Sequence, residues 1–232
     1  MKQVQDFGDD RNKGFCVYCG SPSKKTRDHI PSRVLLDEPF PKNLPVAHSC
    51  AKCNNGFSPD EEYFACLMEC IQIGEVNPDR IEREKIAKTL RAKPALVERI
   101  GRARKEVDGE ILWDPEPDPV ASVVLKLARG HAAFENNEPR LDEPEAFQVW
   151  PLQAMDSEER ELFENGGTGD MGMWPEVGSR AMSRLLIGGD ETYKEGWLLV
   201  QEGRYRYKVS WECGLRVQIV IREYLACEVV WN

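Results

Sequence analysis

Two Cys-x-x-Cys pairs, Cys16/Cys19 and Cys50/Cys53, constrain this chain more than anything else in it. A Cys-x-x-Cys turn can aim both sulfurs at one ion, and tetrahedral zinc accepts four thiolates. If one ion takes both pairs, the 30 residues between Cys19 and Cys50 become a loop stapled at both ends. That loop is longer than in a compact zinc ribbon and has room for a hairpin. Gly20 and Gly56 follow the two pairs, where tight turns call for glycine. A thioredoxin-like redox pair would need a βαβ context, which the flanking sequence lacks. No apolar leader precedes the cysteines, so disulfides are not expected. A structural zinc on Cys16, Cys19, Cys50 and Cys53 is the expectation.

Inside and just beyond the staple lie Thr26-Arg-Asp28-His29-Ile-Pro31, Asn43-Leu44 and, directly after the last cysteine, Asn54-Asn55-Gly56-Phe57. A carboxylate is a hard ligand suited to Mg²⁺ or Mn²⁺. A neutral imidazole is a base poised near neutral pH, and an Asn carbonyl is a second hard oxygen donor. Neighbours on a strand face opposite sides, so Asp28 and His29 can serve one site only where the backbone bends or the strand ends; Pro31 helps end it. Such a set is the minimum kit for hydrolysing a phosphodiester, with one ion balancing charge and one base activating water.

The frame Cys-x-x-Cys, Asp-His-Ile-Pro, Asn-Leu, Cys-x-x-Cys-Asn resembles the HNH endonuclease family in its zinc-bearing form. The likeness covers about residues 14–62, and the stretch from Cys53 to Tyr63 resembles a bacterial subgroup of that family. It implies a ββα-metal unit, a hairpin and a helix gripping one divalent ion. By position, His29 resembles the general base, Asp28 a metal ligand, Asn54 the second metal ligand at a helix start, and Asn43 the residue that braces the loop and helps orient the base. The four cysteines resemble the structural zinc set. One departure is Phe57, where many family members carry Lys.

The formal charge of −9 disfavours a free-standing nucleic-acid binder, because phosphate contacts need Lys and Arg. The charge is uneven. Residues 1–60 hold nine Lys or Arg against seven Asp or Glu, leaving the remainder at −11. Lys24, Lys25, Arg27 and Arg33 surround Asp28-His29 and could flank a scissile phosphate. The expected partner is nucleic acid, DNA ahead of RNA, with a protein partner through the acidic C-terminal part as a further expectation. No apolar run is long enough to cross a membrane, and a reducing cytoplasm suits the thiolates. Two alternatives to a free nuclease remain at this level. One is a partner-gated nuclease effector of a phage-defence or toxin-like system; the other is a zinc-stabilised binding module without catalysis.

Beyond the motif the sequence reads as α+β. Residues 60–73 read as a helix ended by Gly74, with Cys66 and Cys70 on one packed face. Asn77-Pro78 opens a second helix, and a third runs from Pro94 to about Lys105. Pro119 opens an apolar helix that Gly130 would end, with His131 beyond it. Asp108-Gly109 reads as a turn and Asn165–Gly172 as a glycine-rich loop. Strands are expected at 147–151, 182–187, 197–201, 204–211, 215–222 and 227–231, forming an antiparallel meander. The division is 1–62 for the nuclease unit with its zinc, 63–136 for helices, and 137–232 for a mainly antiparallel β region that docks a partner or positions substrate.

Overall fold

A computed structural model describes residues 14–22, 26–41, 44–137, 139–166, 193–194, 196–211 and 214–232. Asn43, Lys24, Lys25, the 182–187 strand and the glycine-rich loop beyond Gly166 lie outside the described residues. The chain is α+β, with five α-helices among the described residues and a C-terminal antiparallel sheet. It divides into two compact units, one of residues 1–54 and 125–232, the other of residues 55–124. The boundaries fall inside two helices rather than at linkers, so the units are not drawn along the linear 1–62, 63–136 and 137–232 segments.

In the first unit, β1 (Thr26–His29) pairs antiparallel with β2 (Val46–Ser49), Asp28 opposite Ala47 and His29 opposite Val46. Helix α1 (Ala51–Ile73) follows β2 almost at once. It starts nine residues before the expected 60, despite Pro59 inside it. Gly56 and Pro59 read locally as helix breakers. The helix nonetheless runs through both, and its buried face begins only at Tyr63 and extends to Cys70.

Among the described residues the large sheet has six strands in the order β5-β10-β9-β8-β7-β6, every pair antiparallel. They are β5 (Ala146–Pro151), β6 (Tyr193–Lys194), β7 (Trp197–Gln201), β8 (Tyr205–Trp211), β9 (Leu215–Ile221) and β10 (Leu225–Trp231). Alternation along the strands gives the sheet two different faces. On one, helix α5 (Ser157–Asn165) packs Phe163 with Trp197, Val220 and Ala226. Arg206 on that face lies 4.4 Å from the Trp197 ring centroid and grips Glu164 through two bonds of 2.6 and 2.7 Å. On the other face, Tyr205 and Tyr207 meet helix α4 (Pro117–Glu135) through His131.

Helix α4 corrects one expectation. Gly130 does not end it, and His131 is a fully buried residue within it rather than a group beyond its end. A Cβ on Gly130 would come within 2.9 Å of Ile30 Cδ1, so glycine here serves close approach and not termination. His131 Nε2 is 2.7 Å from Tyr205 Oη, and its ring stacks on Tyr207 at 3.7 Å. The Tyr207 hydroxyl donates to Glu135.

The second unit holds the rest of α1, α2 (Glu84–Ala92), α3 (Pro94–Ala103) and the hairpin of β3 (Arg104–Val107) with β4 (Glu110–Trp113). The third helix therefore stops before Lys105, because the chain turns at Asp108 and Gly109, both at positive φ, and residues 104–107 pair back on 110–113. Arg99 anchors this unit, forked onto Glu116 at 2.8 and 2.6 Å and lying 4.3 Å from the Tyr63 ring centroid. Cys66 and Cys70 are both fully buried, and burial pushes each thiol up to about 12.

Candidate metal centre and the Asp28–His29 corner

The two Cys-x-x-Cys pairs meet. The sulfurs of Cys16, Cys19, Cys50 and Cys53 all lie within 4.8 Å of one another, the one such group of His, Cys, Asp or Glu ligands among the described residues. Cys19 Sγ and Cys50 Sγ are 3.8 Å apart. A tetrahedron with zinc–sulfur arms of about 2.3 Å has edges of about 3.8 Å, so the donor set and its spacing both fit zinc.

Local backbone chemistry builds each half. The Gly20 N–H donates to Cys16 O at 2.8 Å, closing the first turn, and Gly20 has φ of +70°. The second half is the entry to α1, where the Cys53 N–H lies 3.4 Å from Cys50 Sγ. That bond, ahead of its other neighbours, draws the Cys50 thiol down to about 7. Burial pushes Cys16 up, and burial with the neighbouring thiols pushes Cys53 well above the usual thiol range. Four crowded sulfurs cannot all ionise without a cation among them, which is the condition a zinc ion meets.

Asp28 and His29 sit at the end of β1, and His29 is its last residue. Beyond it the Ile30 N–H bonds Pro45 O at 2.9 Å, and Ser32 leads into a short 3-10 turn at Arg33–Leu35. Asp28 is buried, 7% exposed. Its Oδ2 accepts from the Tyr18 hydroxyl at 3.0 Å and faces Lys126 Nζ at 2.8 Å. Lys126 is 2% exposed and also donates to Ser32 Oγ at 3.0 Å.

His29 is half-buried, and its pKa lies below the ordinary imidazole value. Burial is the main cause, and the charges of Arg33 and Lys126 add to it against the opposing pull of Asp28. The shift favours the neutral imidazole, the form a base requires. Asn54 lies in the first turn of α1, its N–H bonded to Cys50 O at 3.0 Å, one residue from the cysteine cluster. Asn43 is outside the described residues. His48 lies in β2 opposite Arg27, and its carbonyl accepts from Val17 N–H at 3.0 Å.

Sequence reasoning missed Tyr18 and Lys126. The signal for Lys126 was present: it is the single charge in Val-Val-Leu-Lys-Leu-Ala, a stretch otherwise fit for a buried helix. The connection between β1 and β2 is also tied to the sheet. Gln201 makes paired bonds with the Asp37 backbone at 2.8 and 3.0 Å, and Arg204 Nε meets the Asp37 carboxylate at 2.5 Å. No helix among the described residues is long and apolar enough to cross a membrane. No protein-family model, curated protein or solved structure matches the chain.

Proposed function

We propose that the protein is a metal-dependent endonuclease of the HNH type, hydrolysing phosphodiester bonds of DNA. The observation that carries the reading is the order of parts. A β-hairpin ends its first strand on Asp28-His29 and leads directly into a helix whose first turn holds Asn54, beside a four-cysteine cluster with zinc spacing. His29, its neutral form favoured, takes a proton from water as that water attacks the phosphate. Asp28 and Asn54 are the residues that would hold a divalent ion, which supplies charge balance for the phosphate and the leaving oxygen when bound. Arg33, close enough to His29 to lower its pKa, is placed to attract the phosphate. The cysteine cluster keeps the hairpin and helix in register and takes no part in the chemistry.

One observation favours a second reading. The Lys126 ammonium already sits on the Asp28 carboxylate. In a zinc-stapled binding module without catalysis, that pair would be the whole purpose of Asp28. The two readings part in one experiment. Purified protein at low salt is incubated with supercoiled plasmid, single-stranded DNA and RNA, each with Mg²⁺, Mn²⁺ or EDTA, beside His29→Ala. Metal-dependent cutting that His29→Ala abolishes, with zinc content unchanged, is the expected result. Cutting by His29→Ala at the wild-type rate would overturn the mechanism. No cutting, together with no heat of Mn²⁺ binding by calorimetry, would leave the binding module.

A further inference from the structure

We propose that Lys126 is a positioning residue for His29, one ammonium clamping the chain on both sides of the imidazole. The inference rests on the hydrolytic reading above but is carried by a separate geometry. Lys126 Nζ reaches Asp28 Oδ2 at 2.8 Å and Ser32 Oγ at 3.0 Å. These partners are the residue before His29 and the residue three after it. The ammonium therefore spans the corner where β1 ends and the Arg33–Leu35 turn begins.

Three features make the clamp specific. It is buried, with the Lys126 side chain 1% exposed and that of Asp28 9%, so water does not compete for its bonds. It is anchored, because one turn further along α4 Gly130 lies against Ile30, inside the clamped segment, and the next residue, His131, bonds Tyr205 of the sheet. It also gathers two donors on one carboxylate oxygen. Tyr18 and Lys126 both bind Oδ2, which fixes the carboxylate plane and sets the direction of Oδ1. The same contact thus orients Asp28 and holds the bend that presents His29. Misplacing a base by an ångström is enough to slow a reaction about a hundredfold.

The test uses the full-length zinc-loaded protein and two variants, Lys126→Met and Ser32→Ala. Ser32→Ala removes one arm of the clamp and leaves the buried ion pair intact, so it decides the matter if Lys126→Met does not fold. Melting temperature and zinc content establish which variants are folded. The side-chain NMR cross-peaks of the three histidines are recorded at a fixed pH near 8, above the ordinary imidazole range. Those of His29 are identified by their loss in His29→Ala.

In the folded variants the His29 cross-peaks are expected to shift and broaden more than those of His48 and His131, a pattern that general loosening would not give. On DNA, kcat is expected to fall roughly 10–100-fold in Lys126→Met and less in Ser32→Ala, with KM unchanged. His29 cross-peaks unmoved in Ser32→Ala would overturn the clamp, as would wild-type kcat in folded Lys126→Met. If the wild-type protein cuts nothing, the hydrolytic reading fails while the histidine spectra still decide the clamp.

Discussion

A lysine ammonium inside a protein is tolerated only with partners, because desolvation of an isolated charge exceeds anything its packing returns. Lys126 has Asp28 and Ser32, and Asp28 in turn has Tyr18. Removing one member of such a pair leaves the other charge stranded, at a cost of about 3–5 kcal/mol, whereas removing both together is far cheaper. Lys126→Met is therefore expected to destabilise strongly to urea. Adding Asp28→Asn to it should recover a large part of that loss. Costs that simply sum in the double variant would show that the two side chains are not energetically coupled. The pair also explains why this corner was only half legible in sequence. Asp28, His29 and Asn54 stand out because they fall in a short, ordered frame. Ser32 looks like a turn residue, and its partner lies 94 positions away. No local pattern announces a contact of that span.

At the scale of elements, the cysteine cluster joins a turn to the first residues of a helix. Cys16–Gly20 is a five-residue loop, and Cys53 lies only two residues inside α1. The metal is what would hold them together, since structural zinc sites contribute directly to folding. Cys50→Ala is expected to lose zinc, lower the melting temperature and expose β1 and the start of α1 to proteolysis, while the C-terminal sheet persists. Wild-type zinc stoichiometry in that variant would sink the four-sulfur site.

The sheet was the readable part of the fold. Trp197–Gln201 matches expectation residue for residue, and β8, β9 and β10 differ only at their ends. Alternating aromatic and β-branched residues, with glycines at 203 and 214, determine strands locally. The helices were less readable where local breakers lie inside them. Pro59 sits inside α1, and Gly130 sits inside α4 because Ile30 needs the space. Residues 104–107 have a helical composition and still pair as a strand, because the turn at Asp108-Gly109 returns the chain alongside them.

At the scale of the molecule, the first unit is built from both ends of the chain, residues 1–54 and 125–232. The candidate site depends on that arrangement at three points. Lys126 binds its strand, Gly130 admits Ile30, and Gln201 with Arg204 holds the β1–β2 connection at Asp37. A fragment of residues 1–74 contains every motif residue and none of these supports. It is expected to bind one zinc ion and yet leave the amides of residues 26–29 unprotected in hydrogen exchange. Protection there equal to that of the full chain would show the fragment to be self-sufficient.

The position of α4 bears on how such a protein can change over generations. A motif of some fifty residues looks like a cassette that recombination could move between genes. Here a buried counter-charge of the cassette is encoded in a helix far downstream. A crossover between residues 74 and 126 would join the motif to a stranger's helix and strand a carboxylate in its core. Such chimeras would be removed for instability before any activity could be selected, so the two ends of this chain are bound to be inherited together.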